Sequence, residues 1–212
     1  MFDKIIETNN KKVSIQITNK GEVILKKPKR YKKELLDKFI ESKQKWIEDH
    51  KAKILKNLEK NEQIIQGESI LIFGQKKELK VGSKTNEIGE NEVLCKTQKS
   101  LITLIKKFAL EKITEKCKFW ANKMGVEPVG YAVENTRRRW GACTSKKQIK
   151  INFRAVMLDE KCFNYILIHE LAHLKEFNHS TKFWNIVKKY EPNYIKYRKQ
   201  LKDYGFLLEM YR

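Results

Sequence analysis

Three histidines and one glutamate lie within the stretch HELAHLKEFNH at residues 169–179. His169 and His173 are four residues apart, so on a helix they lie one turn apart and can bind the same ion. Glu170 follows the first histidine, where its carboxylate can accept a proton from water at that ion. This is the HExxH pattern of zinc metallohydrolases. It predicts a zinc site, with one ion per chain and Glu170 as the catalytic base.

His179 is the main candidate for the third metal ligand. It lies six residues after His173, the spacing that metzincins show. Metzincins have a glycine where this chain has Glu176, and Asn178 is a residue that tolerates the left-handed conformation of such a turn. A carboxylate from Glu176 or Glu191 is the alternative ligand. Three protein ligands leave a position open for water, which is typical of a catalytic site.

A basic segment, Arg137–Cys143, precedes a strand and the histidine helix. Within this segment, Arg139 can bind a carboxylate or phosphate of the substrate through two parallel hydrogen bonds, or it can clamp a nearby acidic residue of the protein. The strand that follows, Gln148–Arg154, has the position at which an edge strand aligns an extended substrate by backbone pairing. Both roles of Arg139 remain open at this point.

The N-terminal half combines short strands with one long helix. Alternating apolar residues predict a β-hairpin at 12–26, and helical spacing predicts a helix from Tyr31 to about Lys60. Strand-like segments with glycine turns follow at 64–95. We therefore predict an N-terminal region at residues 1–96.

The C-terminal half, residues 97–212, is predicted to be the catalytic domain. Its fold class is α+β: a backing helix, a small mixed sheet with an edge strand, and the helix that carries the histidines. The predicted elements are a helix at about 99–124 ended by Gly125, strands at 129–134 and 147–155, a helix at about 160–177 begun by Asp159, and helices at about 180–190 and 193–204.

The chain has 46 Lys and Arg against 26 Asp and Glu, which gives a net charge of +20. This charge favours polyanionic partners such as nucleotides or nucleic acid, although the lysines are spread along the chain and no known nucleic-acid module accompanies them. No apolar run approaches the roughly 20 residues of a membrane span, and the N-terminus lacks a signal peptide. The four cysteines have no CxxC pair. We expect a reduced, cytoplasmic protein without a membrane partner.

The segment from Arg137 to Trp184 closely resembles the YgjP-like metallopeptidase family, which is related to the SprT and WLM metalloproteases. The matching residues are Arg139, Trp140, Gly141, Cys143, Asn152, Arg154, His169, Glu170, His173, His179, Phe183 and Trp184, with Ala142 where serine is usual. The close match covers about residues 130–205. It implies a zincin-like fold, three histidine ligands and a glutamate base, and it makes Arg139, Asn152 and Arg154 the candidates for substrate binding.

Three functions are consistent with these features. The first is hydrolysis of a peptide or an unfolded protein at zinc, in which Tyr190, Tyr194 and Tyr197 are candidate oxyanion donors. The second is hydrolysis of an anionic nucleoside triphosphate, since some YgjP-like proteins are described as nucleotide pyrophosphohydrolases. The third is a nucleic-acid-associated accessory protein with a non-catalytic zinc site. The presence of Glu170 favours an enzyme, because a purely structural site needs no base.

Overall fold

The computed structural model describes residues 2–211, and its contacts divide the chain into two units, Met1–Glu62 and Gln63–Arg212. Each unit contains strands and helices, so the predicted α+β class is confirmed. A short helix, α2 (Glu62–Ile65), includes the point of division. None of the helices within residues 2–211 combines the length and the apolar character that a membrane span requires.

The first unit contains a three-stranded sheet and a long helix. Its elements are β1 (Lys4–Thr8), β2 (Ser14–Ile17), β3 (Val23–Pro28) and α1 (Lys33–Lys60). Strands β2 and β3 form the predicted antiparallel hairpin, in which Ile15 lies opposite Leu25. Strand β1, which the sequence pattern does not predict, pairs in parallel with the other edge of β3. Helix α1 confirms the predicted long helix, although only its Ile47 is buried.

The second unit begins with a four-stranded sheet of order β4-β5-β7-β6. Its strands are β4 (Ser69–Ile72), β5 (Gln75–Val81), β6 (Glu87–Ile88) and β7 (Glu92–Cys95). In the turn after β4, the Phe73 amide donates to the Val156 carbonyl at 2.7 Å and the Gly74 amide donates to the Met157 carbonyl at 3.3 Å. These bonds connect the four-stranded sheet to the second half of the chain. The sheet therefore belongs to the second unit, which begins at residue 63, whereas the sequence predicts a boundary at residue 96.

Helix α3 (Gln98–Met124) is the predicted backing helix of the second unit. It begins with a capping box between Thr97 and Ser100, and it ends as predicted at Gly125, which has a left-handed φ of 62°. One face of the helix is buried, through Leu101, Ile105, Ala109, Ile113, Cys117, Ala121 and Met124. This face packs against the helix that carries the histidines.

A small mixed sheet of order β8-β10-β9 lies between these helices in sequence. Its strands are β8 (Gly130–Glu134), β9 (Gly141–Cys143) and β10 (Gln148–Asn152). The central strand β10 pairs in parallel with β8 and antiparallel with β9, and its Ile149 and Ile151 are buried. The edge strands of this sheet are therefore β8 and β9, whereas the sequence pattern predicts an edge strand at residues 148–154, which form the central strand β10.

The strand predicted at 147–155 ends at Asn152. The Asn152 side chain accepts a hydrogen bond from the Arg154 amide, and this contact begins a 3₁₀ helix at Phe153–Met157. The short polar side chain thus competes with the strand for the backbone donor. The chain then enters α4 (Glu160–Ala172), whose N-cap is the predicted Asp159. Two more helices follow, α5 (Thr181–Tyr190) and α6 (Tyr194–Gln200).

Candidate metal centre

Helix α4 carries His169 and Glu170 in its last turn and ends at Ala172, before the predicted end at residue 177. His173 is its C-cap, and the amides of Lys175 and Glu176 both donate to the Ala172 carbonyl in the turn that follows. This local turn ends the helix, so the left-handed conformation considered for Asn178 is not adopted. The short connection returns the chain towards α4 and brings His179 beside the first two histidines.

The ligand atoms of His169, His173 and His179 all lie within 4.8 Å of one another. The closest pair is His169 Nε2 and His179 Nε2, which are 3.1 Å apart. Two nitrogen ligands at about 2.0–2.1 Å from a tetrahedral zinc ion would be separated by about 3.3–3.4 Å, so the pair is close to the spacing of a zinc site. Within residues 2–211, these three histidines are the only group of three potential ligands that could hold a metal ion.

The chemistry of the imidazoles also fits a metal. Burial, together with the neighbouring His173, His179 and Arg198, lowers the pKa of His169 to about 3, so its ring is neutral and can donate a lone pair. His173 Nδ1 lies 3.2 Å from the Glu176 carbonyl oxygen. Since a carbonyl only accepts, Nδ1 carries the proton and Nε2 is left for the ion. The neutral form required of a metal ligand is therefore the favoured one for His169 and His173.

Neither alternative third ligand joins this cluster. The Glu176 backbone carbonyl accepts the hydrogen bond from His173, while a side-chain oxygen of Glu191 accepts from the Asn193 amide at 3.1 Å. The metal-capable cluster contains only the three histidines among the described residues. The geometry therefore favours His179 over either carboxylate.

Two aromatic residues of α5 support the histidines. Ser180 accepts a hydrogen bond from the Phe183 amide and begins α5, so that Phe183 and Trp184 face the cluster. The buried Phe183 ring has centroid distances of 4.9, 4.5 and 4.7 Å to the rings of His169, His173 and His179. The Trp184 ring lies beside His169 and His179. These rings restrict the orientations that the imidazoles can adopt.

Glu170 is buried beneath the edge strand β9. A Cβ atom at Gly141 would lie 2.7 Å from Glu170 Cγ and 2.9 Å from its Oε1, so only glycine fits at this position of the strand. Burial and the Glu134 carboxylate raise the pKa of Glu170 to about 8, against opposing effects from Arg139 and the Cys143 backbone amide. A divalent cation at the histidines would lower it again, because opposite charge favours the carboxylate.

Arg139 forms a bidentate ion pair with Glu134. Its Nε and Nη2 atoms lie 3.0 and 3.1 Å from the two carboxylate oxygens. The pair connects the end of β8 to the residue that precedes Trp140 and β9. The sequence leaves two roles open for Arg139, and the contact with Glu134 corresponds to the clamp on a nearby acidic residue.

Asn152 and Arg154 are held by the protein itself, which differs from the substrate contact expected for them. Asn152 is buried and donates to the carbonyls of Thr136 and Arg139 at 2.6 and 3.2 Å. Arg154 is 1% exposed, and its guanidinium donates to the carbonyls of Met210 and Tyr211 at 2.7 and 2.8 Å. Since these groups are already paired and shielded, we assign both residues a structural role.

Two residues near the site are not predicted from the sequence. Glu134 is the partner of Arg139, and Arg198 on α6 lies with its guanidinium carbon 4.9 Å from the Trp184 ring centroid. Glu134 ends a predicted strand, and Arg198 is one of many basic residues near the C-terminus. Neither carries a motif, and only the folded chain shows what they contact.

A sequence model of the YgjP-like metallopeptidase domain matches residues 11–204. The chain belongs to the YgjP-like metallopeptidase family. The close resemblance in the sequence motifs begins only at about residue 130. The family match begins earlier, at residue 11, and includes most of the first unit. Membership makes the protein a metallopeptidase-like hydrolase and implies a divalent metal, which the three histidines fit.

This YgjP-like chain is also similar to two metallopeptidase zymogens of known structure. The chain is 23% identical to Pyrococcus abyssi abylysin over 42% of its own length and 90% of that chain, with a TM-score of 0.40. It is 22% identical to Methanocaldococcus jannaschii jannalysin over 42% of its own length and 92% of that chain, with a TM-score of 0.39. No curated protein matches the chain. The family match implies a peptide substrate at most, and it gives no support for the nucleotide or nucleic-acid partners considered above.

Proposed function

We propose that the protein is a zinc metallopeptidase in which His169, His173 and His179 bind one zinc ion and Glu170 is the general base. The observation that carries this proposal is the combination of the three facing histidines with a buried carboxylate that immediately follows the first of them. A structural zinc site has no need of this carboxylate. Zinc bound there would supply a Lewis acid that activates a water molecule and polarises the scissile carbonyl.

The chain's own residues then direct the proton. Glu170 accepts a proton from the water as the water oxygen bonds to the carbonyl carbon, and the π electrons move to the carbonyl oxygen. When the C–N bond breaks, its electron pair stays on nitrogen, and Glu170 returns the proton to this leaving amine. The contact with Gly141 holds the carboxylate in place for both transfers, and the nearby Cys143 backbone amide favours its charged form.

The edge strand β9 supports a peptide as the substrate. Strand β9 pairs with β10 on one side, with Ala142 opposite Lys150, and no strand occupies its other side among the described residues. An extended peptide can add to such an edge through main-chain hydrogen bonds. Because Gly141 lies against Glu170, a peptide paired with β9 would be held beside the base.

The experiment is a paired assay of the full chain, loaded with zinc. We expect hydrolysis of fluorescein-labelled unfolded casein, loss of this hydrolysis with a chelator, and no release of pyrophosphate or phosphate from nucleoside triphosphates. Glu170→Gln should keep one zinc per chain and lose turnover. Full activity of this variant would rule out Glu170 as the base, and hydrolysis of nucleotides alone would overturn the assignment as a peptidase.

A further inference from the structure

Trp184 connects the metal centre to helix α6. The centroid of its ring is 5.7 Å from that of His169 and 5.6 Å from that of His179. The Tyr194 ring stacks on the indole at 5.1 Å with an angle of 16°, and the Arg198 guanidinium carbon lies 4.9 Å from the ring centroid. Tyr194 and Arg198 are one helical turn apart, so α6 presents both to the same indole.

The position of α6 is fixed by buried contacts with α4. Tyr197 is buried, and the Cys162 thiol lies 4.0 Å from the Tyr197 carbonyl oxygen. At the end of α6, the Gln200 amide donates to Asp159, the N-cap of α4, at 2.8 Å. These contacts restrict the movement of Arg198 relative to the helix that carries His169. They also remove Tyr197 from the candidates for an oxyanion donor, because its side chain is within the packed interface.

The guanidinium of Arg198 has N–H groups that can donate hydrogen bonds to a bound substrate. Its side chain is exposed, and within residues 2–211 it forms no ion pair with a carboxylate. Its guanidinium lies against the Trp184 ring, which is also beside His169 and His179, so its charge is close to the metal centre. A cation with free donors next to a site that develops negative charge is well placed to bind that charge.

We propose that Arg198, held against Trp184, hydrogen-bonds the substrate carbonyl oxygen as negative charge develops on it, and is therefore a further catalytic residue of the proposed peptide hydrolysis, on which this inference rests. The charge appears when water adds and the carbonyl π electrons move to oxygen, while the water proton goes to Glu170. Arg198 donates hydrogen bonds but transfers no proton. Tyr194 is a positioning residue that holds the indole from the same helix.

Variants of the full, zinc-loaded chain test this role. Arg198→Met keeps an unbranched apolar side chain and removes the charge, whereas Arg198→Lys keeps the charge without the planar donors. Lys199→Met removes one charge from the same helix and is the matched control. With the internally quenched peptide that the wild type cleaves best, we expect Arg198→Met to lower kcat by about 100-fold with little change in KM. Arg198→Lys should retain part of the activity, and Lys199→Met should retain all of it.

A binding measurement separates this role from a structural one. By calorimetry, Arg198→Met should weaken binding of a phosphinic peptide of the same sequence by a factor similar to its loss in kcat. The intact peptide should bind equally well to Glu170→Gln and to Glu170→Gln/Arg198→Met. Tyr194→Phe should lose less activity than Arg198→Met.

Several results would overturn the inference while the proposed function stands. These are an unchanged kcat in Arg198→Met, an effect confined to KM and to peptides with a free C-terminal carboxylate, an equal loss in Lys199→Met, and an equal loss in Tyr194→Phe. Absence of peptide cleavage by the wild type, with the zinc bound, would instead overturn the proposed function itself.

Discussion

Gly141 and Glu170 are in direct contact, although one lies in a strand and the other in the helix of the metal centre. A Cβ atom built on Gly141 would approach Cγ of Glu170 to 2.7 Å and its Cδ to 3.0 Å. Such distances are far below van der Waals contact, so the position accepts no side chain unless the strand or the carboxylate moves. The backbone conformation of Gly141 is not left-handed. The glycine is therefore required for the close approach and not for a turn.

Gly141→Ala is expected to displace Glu170 and to lower kcat/KM by about 100-fold, since a misplacement of about 1 Å can have this effect. The added methyl also overpacks the contact, at a cost of about 1–3 kcal/mol in unfolding free energy. Steady-state kinetics with a quenched peptide and thermal unfolding measure the two effects. Zinc stoichiometry should not change, because the three histidines are untouched.

Gly130→Ala is the matched control for this substitution. Gly130 belongs to the same sheet, in β8, and no atom lies within 4 Å of a Cβ built there. This variant should keep the activity of the wild type. Equal activity of Gly141→Ala and Gly130→Ala would show that Glu170 does not depend on the contact.

Local sequence patterns predict the histidine helix and its neighbours correctly. The spacing of His169 and His173, the N-cap Asp159 and the C-cap Gly125 all depend on residues a few positions apart, and the structure contains each as expected. The end of α4 is less well predicted, because helical spacing continues past Ala172 while the chain forms a turn. The spacing of apolar residues does not show where backbone hydrogen bonds of a turn replace those of the helix.

Contacts between distant residues explain what the sequence does not predict. Strand β9 has three residues, too few for an alternating pattern, and its position over Glu170 depends on pairing with β10. The ion pair of Arg139 with Glu134, like the position of Arg198 at Trp184, follows from the arrangement of whole elements. Asn152 and Arg154 match the family motif, yet the motif alone does not distinguish a buried structural contact from one with substrate.

His179 is expected to be the third zinc ligand. His179→Ala should weaken zinc binding by more than about 100-fold, since loss of a group that merely orients a ligand already costs about 10–100-fold. Competition with a chromophoric chelator measures this affinity. Glu176→Gln is the control, because it removes the alternative carboxylate but keeps the backbone carbonyl that accepts from His173. A greater loss of zinc in Glu176→Gln than in His179→Ala would favour the carboxylate as ligand.

The ion pair of Arg139 with Glu134 is expected to act as a clamp on the segment that leads into β9. Arg139→Met and Glu134→Gln should each lower kcat/KM by about tenfold, less than the effect of a full 1 Å displacement. The double variant should lose little more than either single one, because both remove the same contact. Arg138→Met, an exposed neighbour, is the control for charge. A rise in KM in Arg139→Met alone would instead identify Arg139 as a substrate ligand.

Arg154 is expected to stabilise the fold by pairing with the C-terminal residues. Burial lowers the pKa of its guanidinium to about 10, which indicates how costly this charge would be without the carbonyls of Met210 and Tyr211. Arg154→Met leaves the Met210 and Tyr211 carbonyls without these donors, so the unfolding free energy should fall by about 2–4 kcal/mol. Denaturant titration of the zinc-loaded protein measures the change. Arg137→Met, at an exposed position nearby, should remain within about 0.5 kcal/mol of the wild type. If both variants are equally stable, the buried contacts of Arg154 contribute nothing to the fold and its assignment as a structural residue fails.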